Sequence, residues 1–170
     1  MAALVLTVIG DDRPGLVSSL AAAVAERGGS WQHSEMARLA GKFAGIVLVD
    51  VPDEQIEALR AALDGLGARD GLTVTMTAVE GASSGPAHVL TLHLMGQDRP
   101  GIVQQVSAAL AEHGVSIEEL HTSTREAPMS GGMLFEARAV LRVPDGVAAD
   151  ALRPGLEDIA HELMVDLELS

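Results

Sequence analysis

The 170-residue chain carries 24 acidic and 11 basic residues, a formal net charge of −13, 48% hydrophobic but only 2% aromatic residues, and no cysteine. That apolar mass is enough to bury a core in one ordinary domain or two small ones, which excludes a disordered tail. The acidic balance argues against direct contact with nucleic acid or anionic lipid, the missing cysteines remove disulfides and sulfur-ligated zinc, and the few aromatics leave no stacking platform for bases.

Along the chain, residues 4 to 9 (LVLTVI) read as a short apolar strand, and 14 to 27 as a helix with Leu16, Val17, Leu20 and Val24 on one face. Residues 30 to 39 and 42 to 51 read as strands flanking the turn AGK, 53 to 66 as a second helix opened by Asp53, and 72 to 79 as a last strand. Within the strand from 43 to 51 both alternating sets are apolar, Phe43, Gly45, Val47 and Val49 against Ala44, Ile46 and Leu48. Such a strand is expected to be covered on both sides, its outer side by pairing between chains. The stretch EGASSGPA, 80 to 87, reads as a flexible linker by composition.

The remainder repeats the beginning. Displaced by 86 positions, residues 4 to 30 and 90 to 116 are identical at about half of their positions. The match resumes between 43–52 and 135–144, now displaced by 92, so the second copy holds about six extra residues, placed in the Pro/Gly-rich hairpin REAPMSGGM at 125 to 133. In this copy Glu136, Arg138, Val140 and Arg142 alternate with Phe135, Ala137, Ala139 and Leu141, which predicts a solvated outer face. The order β-α-β-β-α-β, written twice, predicts an α+β protein of two ferredoxin-like domains, each a four-stranded antiparallel sheet with both helices on one face. The expected boundaries are 1–80 for the first domain, 81–87 for the linker and 88–170 for the second.

The most similar stretch in the two copies is GDDRPGLV at 10 to 17 and GQDRPGIV at 96 to 103. As a helix-start device, Pro14 suits the first turn because that position needs no amide donor, and Asp12 can accept from the Gly15 amide. Arg13, ahead of a proline, is biased out of the helix. As a ligand seat, Gly10 and Gly15 bare backbone amides at the positive end of a helix dipole, a place for a carboxylate. The two readings are compatible, and both stay open on the residues alone.

Placed between the first strand and first helix of each unit, these stretches resemble the Asp-Arg-Pro-Gly signature of ACT domains, the amino-acid-sensing modules of metabolic regulation. Two copies with no other domain resemble the glycine cleavage system transcriptional repressor family and its relatives, over nearly the whole chain. The resemblance implies a small-molecule ligand, an amino acid, held between paired units by the motif loop of one and the second strand of its neighbour. Carried onto this chain, the ligand residues are Gly10, Asp11, Asp12, Arg13, Pro14, Gly15 and Leu16 with Ser30, Trp31 and Gln32, and Gly96, Gln97, Asp98, Arg99, Pro100, Gly101 and Ile102 with Ser116, Ile117 and Glu118. It further implies a homo-oligomer and a protein partner, a transcription factor or an enzyme, through which an acidic protein would act without touching DNA. A ligand-free oligomerisation module is the alternative.

No catalytic residue, metal site or cofactor is expected. The six histidines include no His-x-x-x-His pair with a nearby acid, and in EELH (118 to 121) strict strand alternation points Glu118 and His121 to opposite faces. Ser18, Ser19 and Ser34 lack a nucleophile-elbow context, and Asp11 and Asp12 stand beside Arg13, which is expected to keep at least one of them ionised. With no apolar run long enough to span a bilayer and no charged leader, a cytoplasmic protein without membrane contact is expected.

Overall fold

A computed structural model describes residues 1–81, 85–129 and 131–170, which form two compact units, Met1–Ala82 and Ser83–Ser170. The first unit runs β1 (Ala2–Asp11), α1 (Leu16–Ala25), β2 (Ser30–Leu39), β3 (Lys42–Val51), a single 3-10 turn (Asp53–Gln55), α2 (Ile56–Asp70) and β4 (Leu72–Ala78). The second runs β5 (Ala87–Gln97), α3 (Ile102–Glu112), β6 (Ser116–Glu126), β7 (Met133–Pro144), α4 (Ala149–Leu163) and β8 (Val165–Leu169). The sheets are antiparallel, in the orders β2-β3-β1-β4 and β6-β7-β5-β8, as expected for the split β-α-β arrangement. The linker's residues 82–84 lie outside the described residues, and Ala87 already belongs to β5.

Each sheet buries one face beneath its own two helices. In the first unit Leu4, Leu6 and Val8 alternate along β1 and Val47, Val49 and Val51 along β3, meeting Leu16, Leu20 and Val24 of α1 and Leu59, Leu63 and Leu66 of α2. Period two on the strands and spacings of three and four on the helices produce these stripes. The second unit repeats the layer with Leu92 and Leu94, Leu141 and Val143, Ile102, Val106 and Leu110, and Leu152 and Leu156. No helix among the described residues is long and apolar enough to cross a membrane.

Two expectations need correction. Val17 is 45% exposed, because α1 starts at Leu16 and the core takes Leu20, Ala23 and Val24 instead. Asp53 caps no helix: it lies in the 3-10 turn, its carboxylate 3.2 Å from the chain's amino terminus, and α2 starts three residues later and runs on to Asp70. On β3 the unit's own helices bury Val47, Val49 and Val51, and Ile46 on the other side is 51% exposed in the single chain, the side for which cover by a second chain is expected.

The outer faces of the two sheets differ in chemistry. The first presents Ile9 and Ile46, with Val5, Ala44 and Leu48 between them half-buried. The second is charged along β7, as its alternation predicts, with Val89 of β5 61% exposed on the same face. There His93 Nε2 and Glu136 Oε1 are 2.8 Å apart, and Arg138 Nη2 donates to the same oxygen at 3.1 Å. The hydrogen bond with His93, aided by Arg138 and opposed by desolvation, holds the Glu136 carboxyl below its ordinary range.

Between β2 and β3 the hairpin turns on Ala40 and Gly41, with φ of 49° and 78°. Two central residues of positive φ match the twist of the flanking strands, but an alanine there meets its own Cβ. Ala40→Asn is therefore expected to raise stability by about 1 kcal/mol in urea unfolding. An unchanged or lower midpoint would contradict the strained turn.

Candidate functional site

The two motif turns share one backbone geometry. After β1 ends, the Asp12 amide donates to the Gly41 carbonyl at 2.9 Å, and its counterpart Asp98 donates to Met133 at 2.8 Å. The chain passes through Pro14 and reaches Gly15 at φ 91°, and through Pro100 to Gly101 at φ 93°; each glycine is the N-cap of the helix that follows. Its carbonyl accepts the first intrahelical bonds, from Ser19 and Gln105, both at 2.9 Å. A left-handed backbone at this position favours glycine, and nothing stands within 4 Å of a Cβ built on Gly15. Leu16 and Ile102 then enter the core as the helices' first residues.

This geometry overturns the capping role of Asp12 and Asp98. Neither helix has a side-chain cap or an acidic first turn. A capping carboxylate must sit at the N-cap itself, and glycine holds that place three residues beyond Asp12. Pro14 likewise lies before the helix and not in its first turn. Among the described residues, the first turns of both helices consequently have neither a capping side chain nor an acidic one.

The motif acids go elsewhere. Asp11 pairs with Lys42 directly across the sheet, and that hydrogen bond and charge lower its carboxyl pKa. Asp12 meets the Arg38 guanidinium at 3.3 Å. A carboxylate held below its ordinary pKa contributes stability above that ordinary value and loses it as pH falls through the depressed one. In the second unit Gln97 faces Leu134 at the equivalent register, so both members of the Asp11–Lys42 pair are exchanged together.

The other expected ligand residues divide by role. Gly10 and Gly96 are packing glycines: a Cβ on Gly10 would lie 2.8 Å from the Gly71 carbonyl oxygen, and one on Gly96 2.8 Å from Cα of Val165. The Arg13 guanidinium lies over Gly71, 3.3 Å from where a Cβ would stand, and Arg99 occupies the equivalent place in the second motif. Gln32 and Glu118 are β-bulges, each the extra residue where the register of the second strand shifts. The bulge also corrects the alternation: Glu118 turns to Arg142, 3.6 Å away, on the face where His121 lies opposite Arg138. Ser30 and Ser116 start their strands, exposed. Trp31 packs partly buried against the first core.

In the second unit expected residues from both segments line one cavity. Ile102 and Ile117 border a cleft of about 30 Å³ between α3 and the sheet, together with Val103, Ser107, Leu120 and Phe135. The sequence reading missed these last four, as well as Lys42 and Arg38; cross-strand register was the available signal for Lys42. No group of three or more His, Asp or Glu among the described residues is arranged to hold a metal ion.

Replacing either left-handed glycine isolates the cost of the turn. Gly15→Ala and Gly101→Ala are each expected to lower unfolding free energy by about 1–2 kcal/mol, since the penalty is conformational and not steric. Guanidinium unfolding reads this directly, and wild-type stability in both variants would contradict the assigned backbone.

Comparison with known proteins places this geometry. The ACT domain family profile matches residues 2–77 and 88–170. The glycine cleavage system transcriptional repressors of Escherichia coli (strain K12) and Shigella flexneri are each 29% identical over 162 residues, 94% of this chain and 85% of theirs. A crystal structure of a protein of unknown function from Galdieria sulphuraria is similar at a TM-score of 0.89 and 30% identity, covering 99% of this chain and 97% of that one. A candidate glycine cleavage system transcriptional repressor is similar in fold, with a TM-score of 0.75 at 20% identity over 99% of this chain and 96% of its own. The chain belongs to the ACT domain family, which it represents as two tandem copies.

Proposed function

We propose that this protein is a regulator that binds an amino acid at its motif turns and passes the bound state to a protein partner, a transcription factor or an enzyme. The observation that carries this reading is the pair of helix starts at Gly15 and Gly101, whose first-turn amides have no acidic or capping side chain to satisfy them. An α-carboxylate supplies that acceptor and meets the positive end of the helix dipole. Similarity to repressors of the glycine cleavage system supports a regulatory and not a catalytic task. With a net charge of −13, action on genes runs through a partner that itself binds DNA.

Regulation then requires the ligand to favour one arrangement of the protein over another, because a ligand of equal affinity for both shifts nothing. The apolar outer face around Ile9 and Ile46 supports self-association of the chain. A monomer by light scattering at micromolar concentration contradicts that part.

Thermal unfolding across the twenty amino acids tests the central part. At a hundredfold excess over Kd, a ligand specific for the native state stabilises by about 2.7 kcal/mol, an upward shift of roughly 5–10 °C for a chain of this size. No shift with any amino acid would contradict the sensor and favour a ligand-free oligomerisation module.

A further inference from the structure

We infer that the two ACT units are not equivalent sensors: the second carries an apolar side-chain pocket, and that pocket selects an amino acid with a branched aliphatic side chain. The inference rests on the amino-acid reading above and adds the class of ligand and the unit that takes it.

The cleft in the second unit lies under α3, against β6 and β7, and every residue lining it except Ser107 is apolar. The Ser107 hydroxyl donates to the Gln104 carbonyl at 3.2 Å within its own helix turn, so it is already satisfied. A water molecule in the cleft would find no set of polar partners, and a site of that kind is a place for hydrocarbon. Its volume of about 30 Å³ exceeds the roughly 10–15 Å³ that one water-sized group occupies, room for a small apolar group. Val103 and Leu120, 43% and 45% exposed, flank the opening.

The first unit supplies a template for what belongs there. By strand register Trp31 corresponds to Ile117, Met36 to Thr122 and Gly45 to Ala137. Trp31 and Met36 both pack on the first core. Met36 crosses Gly45 so closely that a Cβ there would stand 2.6 Å from its Cγ. Ala137 carries the very Cβ that would block this path, Thr122 is exposed, and Ile117 is smaller than an indole. One repeat therefore sets Trp31 and Met36 against its core where the other has Ile117 and the exposed Thr122. Ile102, the residue after Gly101, lines the cleft, which brings the cleft next to that helix start.

Titration calorimetry on the full chain, with L-valine, L-leucine, L-isoleucine, glycine, L-serine and L-phenylalanine, tests this. One aliphatic amino acid per chain is expected, bound at least about tenfold more tightly than glycine, the discrimination that one pocketed methylene provides. Ser107→Leu fills the cleft from a helix position where leucine is well tolerated, and is expected to bring aliphatic affinity down to that of glycine. Ile117→Trp, which copies the first repeat, is expected to do the same. Aliphatic binding that survives Ser107→Leu, or equal affinity for glycine and valine, overturns the pocket. Binding of glycine or serine without the aliphatics overturns it while leaving the amino-acid sensor standing; binding of no amino acid overturns both.

Discussion

Each unit depends on one backbone event, the left-handed glycine that turns the first strand into the first helix. At Gly15 and Gly101 the chain takes a conformation that L side chains rarely adopt, which sets the direction of the helix across the sheet. From there Leu16 and Ile102 anchor the helix in the core, and Leu20 with Val24, or Val106 with Leu110, follow at helical spacing. The same event leaves the helix start without a side-chain acceptor, so the constraint that builds the core also creates the feature a ligand could use.

Around this shared turn the copies have diverged in matched sets. Asp11 with Lys42 becomes Gln97 with Leu134, an ion pair exchanged for a neutral pair across the same two strands. Trp31, Met36 and Gly45 become Ile117, Thr122 and Ala137, three changes that make sense together because Met36 can lie where it does only over a glycine. The outer faces part in the same manner, Ile9 and Ile46 in one unit, the His93–Glu136–Arg138 group in the other. One fold is kept, while nearly every surface that could meet another molecule has changed.

Much of the architecture was legible in the residues. The hairpin of β2 and β3 was readable to its ends because alternating strands flank Ala40 and Gly41, and the repeat located the inserted loop before β7. What failed was local competition between helix-start devices. Asp, Pro and Gly in that order satisfy a capping pattern on paper, yet the glycine's left-handed backbone takes the N-cap and sends Asp12 to Arg38. The bulges at Gln32 and Glu118 were invisible because an extra residue in a strand shows only when its partner is known. The cleft was illegible for a related reason: a void belongs to no residue, and it arises where Ile117, Leu120, Ala137 and Ala139 face α3. Of the twenty expected ligand positions, the glycines at the turns, Ile102 and Ile117 keep a place beside free amides or the cleft, whereas Gly10, Gly96, Asp11 and Asp12 serve the fold.

The claim that the motif turns are ligand seats is tested most directly by amide chemical-shift mapping of the isotopically labelled chain titrated with L-leucine. The account predicts that the largest perturbations fall on the amides of Gly101, Ile102 and Val103 and on Ile117, with much smaller changes at the exposed ends of α2 and α4. Perturbations concentrated away from both motif turns, or none with any of L-leucine, glycine and L-serine at saturation, would contradict it.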